Sequence, residues 1–256
     1  MQAKKKYGQN FLIDTDIIEQ IVHSFFVSEN DLVVEIGPGR GALTSKLVKN
    51  NNYLLAYEID LDMKEYLDKL ENSKVHIKYQ DILNSDINKD IENINYTNLF
   101  LVGNLPYYIT TPIIEYITKL HLNFKSFTIM VQKEVAERFM ALPQSKEYGY
   151  FTVFLNYFYT IELVTCVSRN CFNPAPKVDS AVIKLIPKEN VLIDNQQYFE
   201  FLKQAFKMKR KKLKNNLDEL TFNKILPLLK QYGFDENVRA EEISSDLFLK
   251  MYDVIK

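Results

Sequence analysis

Asn104, Leu105, Pro106 and Tyr107 stand where the apolar run Leu99-Phe100-Leu101-Val102 gives out at Gly103. An amide side chain, followed by a main-chain carbonyl that Pro106 locks in place, offers two hydrogen-bond acceptors aimed at one point. Such a pair suits the two hydrogens of a neutral amine, as on adenine, and turns the nitrogen lone pair toward an electrophile. Tyr107 adds a flat face for stacking a base, worth about 1–3 kcal/mol. Tyr108 is expected to pack, and Gly103 to let the chain leave the sheet. His23, His76 and His121 are scattered outside these residues, and no base is required. A nitrogen held against an electrophilic methyl can attack first and lose its proton afterwards. Proximity and orientation carry such a reaction, helped by hydrogen bonds that favour positive charge developing on nitrogen.

A second group precedes this turn. Gly37, Gly39 and Gly41 in "EIGPGRGAL" follow a strand-like run and open a helix-like one. Glycines there let the backbone turn tightly and a ligand approach main-chain N–H groups. Glu58 ends the next strand, 21 positions after Gly37, where a carboxylate accepts the ribose hydroxyls of an adenosine-type cofactor. Asp81 follows the third strand and is placed for the adenine's exocyclic amine. Gly37, Gly39 and Ala42 also satisfy the G-x-G-x-x-A pattern of dinucleotide enzymes, so these residues leave NAD and S-adenosylmethionine both open. The turn at Asn104 favours S-adenosylmethionine, because it grips an amine.

Stepwise alternation positions these groups. "DLVVEIG", "YLLAYEI", "VHIKY", "NLFLV" and "SFTIMVQ" are apolar strand-like runs separated by segments of helical spacing. Asp14 or Thr15 caps a first helix carrying Ile17, Ile18, Ile21, Val22 and Phe25 on one face. A helix over Pro112–Leu120 has its proline in the first turn. The pattern predicts an open α/β sheet covered by helices on both faces, with ligands at the carboxyl ends of its strands. "YFTVFLNYFYTI" is expected as helix, followed by a strand near Leu163–Ser168, a Pro-rich loop and a strand "SAVIKLI". From Gln196 onward everything has helical spacing, including "YFEFLKQAFKMKRKKLKNNLDEL". The expected division is a sheet domain over residues 1–190 and a small all-helical domain over 191–256.

The 256 residues are 46% hydrophobic and 25% charged, ordinary for a folded chain. No apolar run has the length of a membrane span, and the Lys-rich start lacks the apolar core of a signal peptide. Cys166 and Cys171 make no disulfide framework, and nothing resembles a metal site. A cytoplasmic setting without membrane association is expected. Net charge is −1, yet Lys207–Lys214 holds six basic residues and no acid, and Lys4–Lys6 add three more. Local basic density sets phosphate affinity. Lys207, Arg210, Lys211 and Lys214 fall at helical spacing on one side, which suggests an RNA-backbone contact.

Several stretches together carry a family resemblance. "GNLPYYITTPI" resembles the [ND]-[LI]-P-[YF] motif of amino-group methyltransferases, in the form found in rRNA adenine N6-dimethyltransferases. "KKYGQNFLID", "VVEIGPGRGALT", "QKEVAERFMALPQSKEYGYFTVF", "FNPAPKVDSAVIKL" and "RAEEIS" are similar to segments of the KsgA (RsmA) family of small-subunit rRNA adenine dimethyltransferases. The resemblance runs through nearly the whole chain. It implies a Rossmann-like class I S-adenosylmethionine-dependent methyltransferase sheet with a small C-terminal helical domain. It also implies N6,N6-dimethylation of two adjacent adenines near the 3′ end of small-subunit rRNA, within a pre-ribosomal particle during ribosome biogenesis; a monomer is expected. Carried over by position, Asn10 and Leu12 border the cofactor with Gly37, Gly39, Glu58, Asp81 and Asn104. Asn104, the Leu105 carbonyl, Pro106 and Tyr107 hold the target amine, while Phe172 packs on the other face of the flipped adenine and Pro174 and Pro176 stiffen its loop. An Erm-like enzyme acting on a large-subunit adenine is the alternative within the class. Leu105 and Asp179 stand where that group more often has Ile and Asn. A dinucleotide oxidoreductase and a non-enzymatic assembly factor are the alternatives outside it.

Overall fold

The computed structural model describes residues 9–189, 191 and 196–256; Lys4–Lys6 lie outside the described residues. The apolar runs of the sequence form strands. In chain order these are β1 (Phe11–Leu12), β2 (Leu32–Ile36), β3 (Tyr53–Tyr57), β4 (Val75–Lys78), β5 (Leu99–Asn104), β6 (Ser126–Gln132), β7 (Tyr159–Val167), β8 (Phe172–Asn173) and β9 (Ser180–Pro187). Seven of them form one sheet in the order β4-β3-β2-β5-β6-β9-β7, and β1 pairs antiparallel with β8 apart from it. β2 pairs parallel with both β3 and β5, so the strand order reverses beside β2. β5 pairs parallel with β6, and β9 runs antiparallel along β6. An open α/β sheet binds ligands in the crevice at such a reversal.

The helices are α1 (Thr15–His23), α2 (Thr44–Leu47), α3 (Lys64–Leu67), α4 (Ile87–Ile91), α5 (Thr110–Lys119), α6 (Lys133–Phe139), α7 (Tyr150–Phe158), α8 (Gln196–Ala205), α9 (Glu219–Gln231) and α10 (Ser245–Ile255). Asp14 caps α1, its carboxylate accepting from the N–H groups of Asp16 and Ile17, and Ile17, Ile18 and Ile21 are buried. The helix after the glycine loop is a short one, α2, followed by a 3₁₀ turn over Val48–Asn50.

The described residues divide into two compact units, those within 1–136 with 161–187, and those within 137–160 with 188–256. In the first, Val33, Leu54, Ala56, Val102 and Met130 of the strands join Ile17, Ile18 and Ile21 of α1 in one core. Burying each such aliphatic side chain contributes about 1.5–3 kcal/mol. In the second, Tyr148 and Val153 are buried with Tyr198, Leu202, Phe222 and Phe248, and the Tyr148 hydroxyl donates to the Ile243 carbonyl at 2.8 Å. Residues 137–160 therefore pack with the helical unit, whereas a continuous cut near 190 places them with the sheet. The packing of α7 against later helices is long-range and leaves no local mark.

Two further expectations change. "YFTVFLNYFYTI" is helical only to Phe158; Tyr159 is extended (φ −132°, ψ 148°) and opens β7, as β-branched and aromatic residues favour. Gly103 does not release the chain from the sheet, for it is paired inside β5 with Ile36 and Ile129. A Cβ there would lie 2.8 Å from the Ile36 carbonyl oxygen and 2.9 Å from the Leu105 side chain. Close strand approach, not a turn, demands glycine at 103.

Candidate active site

A cavity of about 480 Å³ opens within the first unit, and the ends of β2, β3 and β5 feed its wall through Gly37, Glu58 and Asn104. Asn10, Leu12, Gly39, Asp81, Leu105, Pro106 and Tyr107 also line it. The structure thus brings together the residues that sequence reasoning assigned to cofactor and amine, with one exception, Phe172.

The glycine loop works differently from the expectation. Gly37, Gly39 and Gly41 all have positive φ (72°, 58° and 78°), a conformation glycine adopts without strain. Their N–H groups are taken: Gly37 donates to the Tyr57 carbonyl at 2.9 Å, Gly41 to the Pro38 carbonyl at 2.9 Å, and Gly39 to Glu58 Oε2 at 2.9 Å. These donors hold the loop to itself and to β3. At Gly39 the missing side chain makes room for Phe11, whose ring atoms would lie 3.2 Å from a Cβ. The Arg40 guanidinium sits 4.3 Å from the centroid of that same ring. The "QNFL" segment therefore closes over the glycine loop through Phe11.

Glu58 is buried. Its Oε1 accepts the Asp60 N–H at 2.8 Å and its Oε2 the Gly39 N–H. Burial raises its pKa, and the backbone donors oppose that rise. Each oxygen uses one lone pair on the protein and retains another for a hydroxyl. Asp81 caps the following 3₁₀ turn by accepting from the Leu83 N–H at 3.0 Å, and its half-exposed carboxylate remains on the cavity wall.

At the end of β5, Asn104 Nδ2 donates to the Asn10 carbonyl at 3.2 Å. A carbonyl can only accept, so this bond fixes the amide orientation and leaves Oδ1 as the atom for an incoming donor. The Leu105 side chain is buried, which leaves its main chain as the part that can serve a ligand. Tyr107 is half-buried on the cavity wall, its Oη 2.7 Å from Ser180 Oγ. Tyr108, expected to pack, is 61% exposed and lines the same cavity. Phe172 has the opposite fate: it is 3% exposed, paired across from Leu12 within the first core, and absent from the cavity lining. β8 turns its ring inward, away from any base in the cavity.

The cavity wall also holds a buried acid that the sequence reading did not single out. Glu35, in the middle of "LVVEI", is 2% exposed, and its Oε2 meets no hydrogen-bond partner among the described residues. Burial chiefly, with repulsion from Glu58, lifts its pKa from an ordinary 4.5 to about 8. It is therefore largely protonated at neutral pH. The signal was a charged residue inside an otherwise apolar strand. Because the folded protein holds this proton more tightly than the unfolded chain, stability falls as pH rises from about 4.5 to about 8. The slope reaches at most about 1.4 kcal/mol per pH unit. Glu35→Gln keeps the neutral shape and removes that slope, which denaturant titrations between about pH 5 and pH 8.5 measure.

In the second unit the basic run does not continue a helix. α8 ends at Ala205 and residues 206–210 form turns, so the one-sided helical spacing of Lys207, Arg210, Lys211 and Lys214 is lost. Arg210 and Lys211 instead share a recess with Lys146, Lys209 and Arg239, while Lys207 and Lys214 are outside its lining. Lys214 pairs with Glu236 at 3.4 Å. Lys146 and Arg239 were missed because they join the run only through the tertiary fold.

A reversal-point cavity in a Rossmann-like sheet, with a buried carboxylate at the end of β3 and an Asn-Leu-Pro-Tyr turn at the end of β5, defines the class I methyltransferase fold. Residues 1–256 match the family described as Ribosomal RNA adenine dimethylase, and the chain belongs to that family of methyltransferases. The chain is 45% identical to a protein of Mycoplasmopsis pulmonis (strain UAB CTIP) named Ribosomal RNA small subunit methyltransferase A, over 98% of both chains. It is 42% identical to the protein of the same name from Onion yellows phytoplasma (strain OY-M), over 97% of this chain and 94% of the relative. Among solved structures it is similar to a dimethyladenosine transferase from Plasmodium falciparum, with TM-score 0.78, 26% identity, and coverage of 94% and 95%. It shares its fold with the 23S rRNA methyltransferase ErmE, with TM-score 0.73, 23% identity, and coverage of 96% and 99%.

Proposed function

We propose that the protein transfers methyl groups from S-adenosylmethionine to the exocyclic amines of two adjacent adenines near the 3′ end of small-subunit rRNA, twice on each. The observation that carries this reading is the Asn104 amide on the cavity wall, its Nδ2 committed to the Asn10 carbonyl so that Oδ1 is the atom left to accept. The residues fit the cofactor: Glu58 has lone pairs for the ribose hydroxyls, Asp81 an acceptor for the adenine amine, and Gly37, Gly39, Asn10 and Leu12 a close wall. S-adenosylmethionine supplies an electrophilic methyl on a sulfonium. Asn104 Oδ1 and the Leu105 carbonyl accept the two amine hydrogens, which leaves the nitrogen lone pair directed out of the N–H plane. Tyr107 stacks on the base, and the exposed Tyr108 offers the aromatic face that Phe172, turned into the core, does not. The two acceptors stabilise the positive charge that grows on nitrogen, and the proton leaves after transfer.

Finer features belong to this proposal: a pre-ribosomal particle as substrate, which rests on the motif resemblance, a cytoplasmic setting without membrane association, and action as a monomer. No described helix is long and apolar enough to cross a membrane. Arg210 and Lys211 are the phosphate contacts of this reading; they line a recess with Lys146, Lys209, Arg239 and Glu241, whose carboxylate already pairs with Lys209 and Arg239 at 3.7 Å. Replacing Arg210 and Lys211 with Ala weakens small-subunit binding and makes its log–log salt dependence shallower by about 0.7–0.9 for each phosphate no longer neutralised. Filter binding at several salt concentrations measures both. Methylation itself is tested with radiolabelled S-adenosylmethionine and under-methylated small subunits, followed by mapping of modified adenines. Label on large-subunit rRNA only, or no label, overturns the proposal.

A further inference from the structure

Tyr107 carries the stacking face of the proposed site, yet its ring is a long side chain on a short 3₁₀ turn, and nothing in the Asn-Leu-Pro-Tyr motif fixes its orientation. What touches its far end is Ser180: the two hydroxyl oxygens are 2.7 Å apart, and Ser180 is fully buried. Ser180 is itself held from both sides. Its backbone opens β9 opposite Gln132 of β6, and the preceding Asp179 accepts the Lys133 N–H through its carbonyl at 3.0 Å. The Asp179 carboxylate accepts from the Arg169 N–H at 3.1 Å and from Arg169 Nε at 3.2 Å. The Arg169 guanidinium also donates to the Lys177 carbonyl at 3.0 Å. A hydroxyl on so constrained a backbone is a fixed point, whereas the Tyr107 ring, half-buried on the cavity wall, is not.

We infer that Ser180 is a positioning residue for methyl transfer: its hydroxyl, anchored by the β6–β9 ladder and the Arg169–Asp179 clamp, sets the Tyr107 ring against which the target base stacks. The inference rests on the function proposed above. Without the Ser180 hydroxyl, the phenol loses its buried partner and swings toward water, and the base loses its backing plane. The amine acceptors and the cofactor wall are untouched, so the effect falls on turnover and not on cofactor binding. The second methylation suffers more than the first, because a monomethylated amine is bulkier and has a single hydrogen left for the acceptors. Ring placement then has a larger share in orienting it.

The test compares Ser180→Ala, Tyr107→Phe and the double variant in steady-state methylation of under-methylated small subunits, with mono- and dimethyladenine resolved in the product. Ser180→Ala lowers kcat roughly tenfold, since misplacement of a reacting group by less than about 1 Å has effects of that order. KM for S-adenosylmethionine stays unchanged and the monomethyl fraction rises. The double variant is no slower than Ser180→Ala, because each change breaks the same bond. Wild-type kcat in Ser180→Ala, a rise in KM matching the loss, or a double variant slowed by the product of the single effects overturns the inference. If Ser180→Ala does not fold, Tyr107→Phe decides: a raised monomethyl fraction supports the inference and a wild-type product ratio overturns it. Absence of methyl transfer by the wild-type protein instead overturns the proposed function, and the positioning role with it.

Discussion

Replacing Asn104 with Ala is expected to slow methyl transfer by roughly 10²–10³-fold, the size of effect seen when one preorganised polar group facing a developing charge is removed. The same change weakens S-adenosylhomocysteine binding only modestly, less than about tenfold by the same reasoning. The split follows from where the amide points. Nδ2 spends one of its two hydrogens on the Asn10 carbonyl at 3.2 Å, so the side chain touches the cofactor wall through Asn10. Oδ1 is left for the amine. Truncation removes the acceptor that turns the nitrogen lone pair and favours charge on it, while Glu58, Asp81 and the glycine loop stay in place. Single-turnover rates and calorimetry with S-adenosylhomocysteine separate the two quantities. Full activity in the variant would refute the amine-holding role.

The strand ends were legible because burial and chemistry meet there in neighbouring residues. Four apolar residues stopping at Gly103-Asn104, or "YLLAY" stopping at Glu58, announce both a buried parallel strand and a polar group at its carboxyl end. The strand reversal beside β2 then gathers these ends into one cavity. What was illegible depends on packing between distant segments. The need for glycine at 103 comes from the Ile36 carbonyl 2.8 Å from where its Cβ would be, and no local rule reveals it. The two tyrosines and Phe172 are chemically alike in sequence. Only the pairing of β8 with β1 turns Phe172 inward, and only the 3₁₀ turn over Tyr107–Ile109 leaves Tyr108 outside. The basic run had true helical spacing, but the fold ends α8 at Ala205, where the Asn216 side chain donates to the Ala205 carbonyl at 2.8 Å. The family resemblance supplied the target base; it did not supply the buried Glu35 or the bond from Tyr107 to Ser180.

Glu58→Gln is the second change with a large expected effect, and its size comes from having no good orientation. The carboxylate accepts one backbone N–H on each oxygen, from Asp60 at 2.8 Å and Gly39 at 2.9 Å. An amide must present its NH₂ to one of these two donors. A buried donor facing a donor costs about 1–3 kcal/mol, and the same end of the side chain can no longer accept a ribose hydroxyl. The clash is present with or without ligand and lowers stability, whereas the missing charge-assisted bond to the ribose, worth about 1.5–3 kcal/mol, lowers cofactor affinity by roughly 10–10²-fold. The wild-type protein has a related pH dependence. Burial raises the Glu58 pKa, and hydroxyl donors favour its charged form. Affinity for S-adenosylhomocysteine is therefore full above that raised pKa and declines as pH falls through it. Glu58→Gln binds weakly at every pH with no such decline. Calorimetric titrations across the acid range distinguish the two profiles, and an unchanged affinity in the variant would place the ribose elsewhere in the cavity. Because Gly39 hangs on the same carboxylate, the substitution also loosens the glycine loop, so its melting temperature falls even without ligand. Asn104→Ala, which leaves that bond intact, does not share this loss.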